Sequence, residues 1–441
     1  MARFTQIATV FILLFTQVLT LFADTTISPA AERAEPALKW RTRVIPIAIS
    51  TSLLHPASNV KYGSDLVGAV RRSLRSWEEA GGIEFREVIS DRQNASPQGV
   101  AGDGISLITV APTAENALLF SKNAEDAAAT TRVFFDARGR ISEADIVLNP
   151  YQQFSTDGTF GTFDLESTIT HEIGHVLGLE HSSVRGSTMY ENFSKNGVFG
   201  LPGFALRTVS EIDRTELRAK YGLIDTRENC CGTISAKFQF PEGKPASNLD
   251  VWLEDSLTGK VAAQATTGQD GSAEFTGLNY AAYTIYSARR DRAKKPLPMQ
   301  SLGSVSVSNE PVVFSKKLES GPDDLDVKYS GFNGQLTLNA VPINSGKSYT
   351  IYIGGRNLSP KTVSVRFGSP FFEVLPGSMT AHDYGDDLSV VSFEVTSAAQ
   401  TPVGEYSIFV ESTGGSRAAI VGGISVRSFS NPFGNIVFDT K

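Results

Sequence analysis

His171-Glu172-Ile173-Gly174-His175-Val176-Leu177-Gly178-Leu179-Glu180-His181 is the stretch on which the reading of this 441-residue chain turns. The whole chain has only five histidines, and three of them stand here. His171 and His175 are four residues apart, so on a helix both rings leave one face and can share a metal ion. Glu172 lies about 100° further round such a helix. From there it reaches a water on the metal without ligating the metal itself. Gly178 lets the backbone leave the helix in a conformation that a Cβ would oppose, and the turn brings His181 in as a third nitrogen. Three imidazoles with one open position suit a catalytic zinc better than a closed structural one. At the residue frequencies of this chain, a chance match of the five fixed positions is on the order of a few in a million. Two plainer readings stay open: histidines on the outside of a core helix, and a zinc site without activity.

The flanks of this segment read as mixed α and β. Val44–Ile49, Ile105–Val110, Thr131–Phe135 and Ile141–Leu148 have the pattern of strands, with Arg138-Gly139 as a turn. Leu66, Val67, Val70, Leu74 and Trp77 form a helical stripe that Gly81-Gly82 ends. Further helices are expected over Asp164–Leu179 and Ser210–Tyr221, the latter capped by Ser210 and stopped at Gly222. After Asp225 the texture becomes strand and turn, without a convincing helix. Strands are expected at Thr233–Phe240, Leu249–Glu254, Val261–Thr266, Ala273–Phe275 and Tyr283–Ser287. A second set follows at Gln335–Asn339, Ser348–Ile353, Thr362–Phe367, Val390–Val395, Tyr406–Val410 and Ala419–Val426. The fold class expected is an α/β domain followed by two all-β sandwiches.

Composition bounds the function. Hydrophobic residues at 41% and charged residues at 20% are a globular balance, and a net charge of -7 argues against a general nucleic-acid binder. Two cysteines, adjacent at Cys230 and Cys231, exclude a disulfide framework and a cysteine-rich zinc module, and are expected as two thiols. Arg3, the apolar run Ile7–Phe22 and Ala23 have the form of a secretory signal peptide. A retained anchor is the alternative, but the run is short of the ~20 apolar residues of a span and is diluted by polar ones. No membrane span is expected after its removal, and the mature protein is expected to be secreted. The organisation expected is signal peptide 1–23, lead-in 24–37, zinc domain 38–225, sandwich 226–320, sandwich 326–428 and tail 429–441.

The zinc segment is the long signature of the metzincin endopeptidases, and Ser187-Thr188-Met189-Tyr190 resembles the Met-turn that completes it. Within the metzincins the chain is most similar to the matrixins. Trp40–Ile49, Ala69–Phe85 with Trp77, Phe163-Asp164-Leu165 and Ser210–Gly222 resemble that family's first strand, first helix, entry to the zinc helix and closing helix. The resemblance implies a twisted, mostly parallel sheet with three helices and a horizontal cleft. It implies a zinc endopeptidase acting on protein or peptide substrates, with His171, His175 and His181 on the zinc, Glu172 as general base and Met189 as an apolar floor. An edge strand near Ala128–Phe135 would pair with an extended substrate, and Glu191–Leu206 would shape a pocket beside the zinc, with Phe193, Phe199, Leu201 and Phe204 either lining it or packing within the loop. A second, structural zinc has few histidines to draw on, since only His55 remains in this region. Calcium would have Asp136, Asp145 and Asp157 to draw on. The family's inhibitory cysteine is missing, and latency would fall to a carboxylate such as Asp24, Glu32 or Glu35.

The C-terminal units resemble a prealbumin-like sandwich, on Asp270-Gly271, Phe275, Gly277-Leu278 and Tyr283, and an immunoglobulin or IPT-type sandwich, on Gly354–Leu358 and Val403–Tyr406. Such units serve as spacers or bind a surface or carbohydrate ligand; Trp252 and Tyr280 could touch one, but core packing is the favoured reading for both. The alternative for the whole protein is a secreted adhesin or matrix-binding protein whose metzincin-like domain has lost activity.

Overall fold

The structure, a computed structural model, describes residues 37–427 except 56, 98–101, 122–126, 193, 223–228, 290–297 and 386. The apolar run 7–22, the acids Asp24, Glu32 and Glu35, and the tail 429–441 lie outside the described residues. From Ala37 onward the chain forms one compact unit.

Its first sheet holds β1 (Lys39–Trp40), β2 (Val44–Ser50), β3 (Glu84–Ser90), β4 (Leu107–Thr109), β5 (Ala129–Phe135) and β6 (Arg140–Leu148). β3, β2, β4, β6 and β1 run parallel, and β5 alone is antiparallel, paired with β6. The mostly parallel sheet is thus as expected. Ile45, Ile47 and Ile49 of β2 alternate into the core, as a half-covered strand requires. Helix α1 (Leu66–Gly81) follows β2, capped by the Asp65 side chain on the Gly68 amide and closed at Gly82 in the left-handed region (φ +56°). Its stripe of Val70, Leu74 and Trp77 is buried. Helix α2 (Ala114–Leu118) is a single turn that periodicity does not reveal, and β3 escapes notice because only Phe85 of it is buried. Short strands β7 (Phe154–Ser155) and β8 (Phe163–Asp164) pair just ahead of α3 (Leu165–Val176), and α4 (Glu211–Tyr221) ends the α/β part. The Trp77 indole N–H donates to the Thr170 carbonyl at 2.7 Å, which ties α1 to α3.

The next part has two sheets. Cys230–Gln239 lies between Ser272–Asn279 and Val312–Lys317. Val261–Thr266, Leu249–Asp255, Ala282–Arg289 and Gln300–Ser306 form the other. Phe238, Val251, Leu253, Phe275 and Ile285 fill the space between. Gln300–Ser306 and Val312–Lys317 go unread in the sequence because their residues are small or exposed. The last part packs a sheet centred on Ser348–Arg356 and Ser389–Ser397 against one centred on Gly404–Ser412 and Arg417–Val426, around Ile351, Phe393, Tyr406 and Ile408.

Two expectations are corrected here. The zinc-segment helix stops at Val176, not Leu179, because Gly178 takes φ +80°. Cys230 and Cys231 are not two thiols: they are disulfide-bonded to each other across a cis peptide bond, a backbone geometry that residue patterns do not display. Trp252 packs in the core as favoured: it is 1% exposed and stacked on Tyr286 with ring centroids 5.4 Å apart. Tyr280 remains partly exposed.

Trp252 and Tyr286 belong to a cluster in which all three parts meet: Val184 and Ile212 from the first, Val261 and Met299 beside them, and Phe409 from the last. Glu254 sits next to it, accepting the Trp252 indole N–H at 3.1 Å, with its other oxygen against Gly368. Burial pushes this carboxyl up to about 7. The ordinary value is 4.5. Between these values the folded chain holds a proton that the unfolded chain has released, so this group costs stability increasingly as pH rises from 4.5 towards 7. Glu254→Gln should therefore stabilise the chain at pH 8 by up to about 2–3 kcal/mol and much less at pH 5. Thermal unfolding at the two pH values checks this; an equal shift at both would contradict it.

Candidate metal centre

Helix α3 is built to present its second half. Asp164 caps it, its carboxylate accepting the Ser167 amide at 2.9 Å, and Arg207 pairs with the same carboxylate at 2.6 Å. Ile169, Ile173 and Val176 are buried against the sheet side. The helix ends in a glycine-type cap: the Leu179 amide bonds back to the Gly174 carbonyl at 2.9 Å and the Gly178 amide to His175 at 2.9 Å. A Cβ on Gly178 would stand 2.3 Å from the Leu38 carbonyl oxygen, so this turn needs glycine both for its conformation and for space.

The structure brings His171, His175 and His181 together, with one ring nitrogen of each within 4.8 Å of the others. The His171 Nδ1 faces the Thr188 carbonyl at 2.8 Å, and the His175 Nδ1 faces the Leu179 carbonyl at 2.8 Å. A carbonyl accepts, so in each ring Nδ1 carries the hydrogen and Nε2 carries the lone pair. The His175 Nε2 then points at the His181 Nε2 from 3.2 Å. Burial holds all three imidazoles below their ordinary pKa, and at His171 the neighbouring His175 adds to it, so the neutral, ligand-competent form is favoured. Convergent lone pairs on neutral, oriented imidazoles are a donor set that fits zinc.

Glu172 is buried on the same helix. Its Oε2 accepts the Thr131 hydroxyl at 2.5 Å, and burial pushes the carboxyl up to about 7 against the lowering effect of that bond. Thr131 lies on β5, and no strand among the described residues pairs with the other side of β5. Met189 is fully buried beneath the helix: a Cβ on Gly174 would stand 2.2 Å from its sulfur and 3.0 Å from Trp77. The Thr188 carbonyl that orients His171 is itself fixed, because the Thr188 amide donates to the buried Asp213 carboxylate at 2.6 Å and Ser210 donates to the same oxygen at 2.5 Å.

Sequence reasoning missed Thr131 and Asp213. Both act across the fold, and only the β-strand pattern around Thr131 and the Ser210 cap near Asp213 hinted at their neighbourhoods. Phe199 and Leu201 do both things expected of them: they pack on the core cluster of the last sandwich and they line a cleft. A cleft does lie there, lined by Ser167, Leu201 and Leu206 with Asn339, Pro342 and Arg427, but the histidines do not line it. Phe193 and the Phe204 side chain lie outside what is described. The calcium carboxylates are not gathered. Asp136 pairs with Arg140, Asp157 with Lys61, and Asp145 accepts the Ser96 and Leu107 amides. Among the described residues, only the three histidines form a group able to hold a metal ion.

This arrangement defines a metzincin-type metal centre: two histidines on a helix, a third beyond a glycine turn, a methionine beneath. Residues 39–209 match the matrixin family, peptidase family M10, so the α/β part of the chain is similar to a matrixin-type metzincin. The hatching enzyme of Paracentrotus lividus is 28% identical over 169 residues, covering 36% of this chain and 23% of that protein. The metalloendoproteinase 1-MMP of Arabidopsis thaliana is 31% identical over 159 residues, covering 34% of this chain and 38% of that protein. The chain thus spans well under half the length of either relative. The major pilin SpaD of Corynebacterium diphtheriae overlaps 44% of this chain and 65% of its own at 12% identity, but a TM-score of 0.19 is too low to carry an argument.

Gly174→Ala should force Met189 or Trp77 aside and cost about 1–3 kcal/mol of stability. Thermal unfolding of the metal-free chain checks it, and an unchanged melting temperature would show that the helix and the methionine are not in contact.

Proposed function

We propose that the protein is a secreted zinc endopeptidase in which His171, His175 and His181 hold one zinc ion and Glu172 is the general base. The observation that carries this reading is the pairing of a buried carboxylate, bonded by Thr131, with three clustered imidazoles, two of them oriented by backbone carbonyls. When bound, zinc supplies a Lewis acid for the scissile carbonyl and lowers the pKa of a water towards ~7. Glu172 accepts a proton from the attacking water and returns it to the amine as the C–N bond breaks. Thr131 keeps that carboxylate on the β5 side of the helix. The unpaired side of β5 has room for an extended peptide to add as a strand, which would make recognition broad and main-chain in character. The signal-peptide form of residues 1–23 supports export, and no helix among the described residues is long and apolar enough to cross a membrane. The division at 38–225, 226–320 and 326–428 belongs to this reading, and three large core clusters support it although Phe199 and Leu325 join the last one from outside its bounds.

The test is cleavage of an unfolded protein such as casein by the wild type and by Glu172→Gln, with bound zinc quantified in each. The reading predicts zinc near one per chain in both and a loss of at least ~100-fold in cleavage for the variant. Zinc in both with cleavage by neither would favour a binding protein with an inactive centre.

A further inference from the structure

The segment Ser182–Tyr190, between the third histidine and the end of the Met-turn, has little regular structure. Its internal bonds run from the Ser182 amide to the Met189 carbonyl at 2.8 Å, the Ser187 amide to the Val184 carbonyl at 3.0 Å, the Tyr190 amide to the Ser187 carbonyl at 3.2 Å and the Val184 amide to the Ser182 hydroxyl at 3.1 Å. Thr188 is held by Asp213, Thr208 and Ser210 of the α/β part, and the other fixed points, at Ser183–Gly186 and Tyr190, come from the two sandwiches. The Ser183 hydroxyl donates to Gln264. Val184, fully buried, is enclosed by Trp252, Val261, Tyr286 and Phe409. The Arg185 amide donates to the Val421 carbonyl at 3.2 Å. Its guanidinium donates to the Lys328 carbonyl at 2.7 Å and to the Ser330 hydroxyl at 3.3 Å. The Gly186 carbonyl accepts from Arg427 at 2.9 Å, and Arg427 is held by an ion pair with the buried Glu405 at 3.1 Å. The Tyr190 hydroxyl donates to the Leu338 carbonyl at 2.9 Å. Backbone shape is matched too: Gly422 takes φ +64°, and a Cβ there would meet Val184 at 2.5 Å.

This segment sets two elements of the metal centre. Its Thr188 carbonyl orients His171, and its Met189 fills the floor under Gly174. It also continues directly from His181. A loop with so few bonds of its own samples many conformations when released, and ordering it again costs about 1–2 kcal/mol per residue. We infer that the sandwiches are positioning parts of the metal centre, with Arg185, Tyr190 and Arg427 clamping the loop that carries the Met-turn, rather than spacers or separate binding modules. The inference rests on the zinc reading above. It identifies Arg185 and Tyr190 as positioning residues that act through Thr188 and Met189 without touching metal or substrate.

The test uses the full chain as Tyr190→Phe, Arg185→Ala, Arg185→Lys and, as a control, Gln335→Ala. Gln335 accepts the Phe199 amide, so its loss loosens the same sandwich away from the clamped loop. Zinc dissociation constants are measured by chelator competition, and amide hydrogen exchange of residues 182–190 is measured without metal. Tyr190→Phe keeps the ring volume, so misfolding does not obscure it. The clamp predicts zinc binding weakened about ten-fold or more in Arg185→Ala, partly recovered in Arg185→Lys and weakened several-fold in Tyr190→Phe, with faster exchange of the loop amides. It predicts the control within about two-fold of wild type. Equal zinc affinity and equal loop exchange in all variants would overturn it, as would a control that weakens zinc as much as Arg185→Ala. A wild type that binds no zinc at all would instead remove the reading on which it rests, and that outcome is visible before any variant is compared.

Discussion

Two backbone carbonyls govern this site. Thr188 and Leu179 each accept a hydrogen bond from an imidazole Nδ1, and in doing so they fix which nitrogen of His171 and His175 is left with its lone pair. Without them the rings would be free to rotate and to exchange tautomers, and the third imidazole would face a nitrogen of undefined character. Each carbonyl is held by a different device. Leu179 is placed by the glycine turn that ends α3, which only Gly178 can make beside Leu38. Thr188 is placed by Asp213 from α4.

From this constraint the layout of the α/β part follows. The sheet and α1 give α3 a wall of Ile, Leu and Val on one side, and Trp77 locks the two helices in register. The other side of α3 is left to the histidines, to Glu172 and to the methionine. Because Gly174 carries no side chain, Met189 can rise to the helix backbone between the two helical ligands. The buried carboxylates at the rim do different work. Glu172 is tied to the β5 edge, whereas Asp213 is consumed in holding backbone.

The local part of this was legible in the sequence. The spacing of His171, His175 and His181, the carboxylate of Glu172, the glycine exit and the methionine all fall within nineteen consecutive positions, where helix and turn geometry relate the first of them. The strands with clean alternation, such as Val44–Ser50 and Val261–Thr266, were legible for the same reason. What escaped depends on distance along the chain. Thr131 meets Glu172 across 41 residues, Tyr190 meets Leu338 across 148, and Arg427 meets Gly186 across 241. Nothing in the local pattern of Val184 or Phe199 distinguishes a loop side chain from one buried in a neighbouring sandwich. Phe199 lines a cleft, as the sequence suggested, but it is also core of the last sandwich, which the sequence did not show.

The central claim is that one zinc ion sits on three imidazole nitrogens. The zinc K-edge X-ray absorption spectrum of the full chain tests it most directly. The account predicts a first shell of nitrogen and oxygen only, at about 2.0–2.1 Å, with the outer-shell scattering of three imidazoles. A sulfur shell near 2.3 Å, or fewer than three imidazoles, would contradict it.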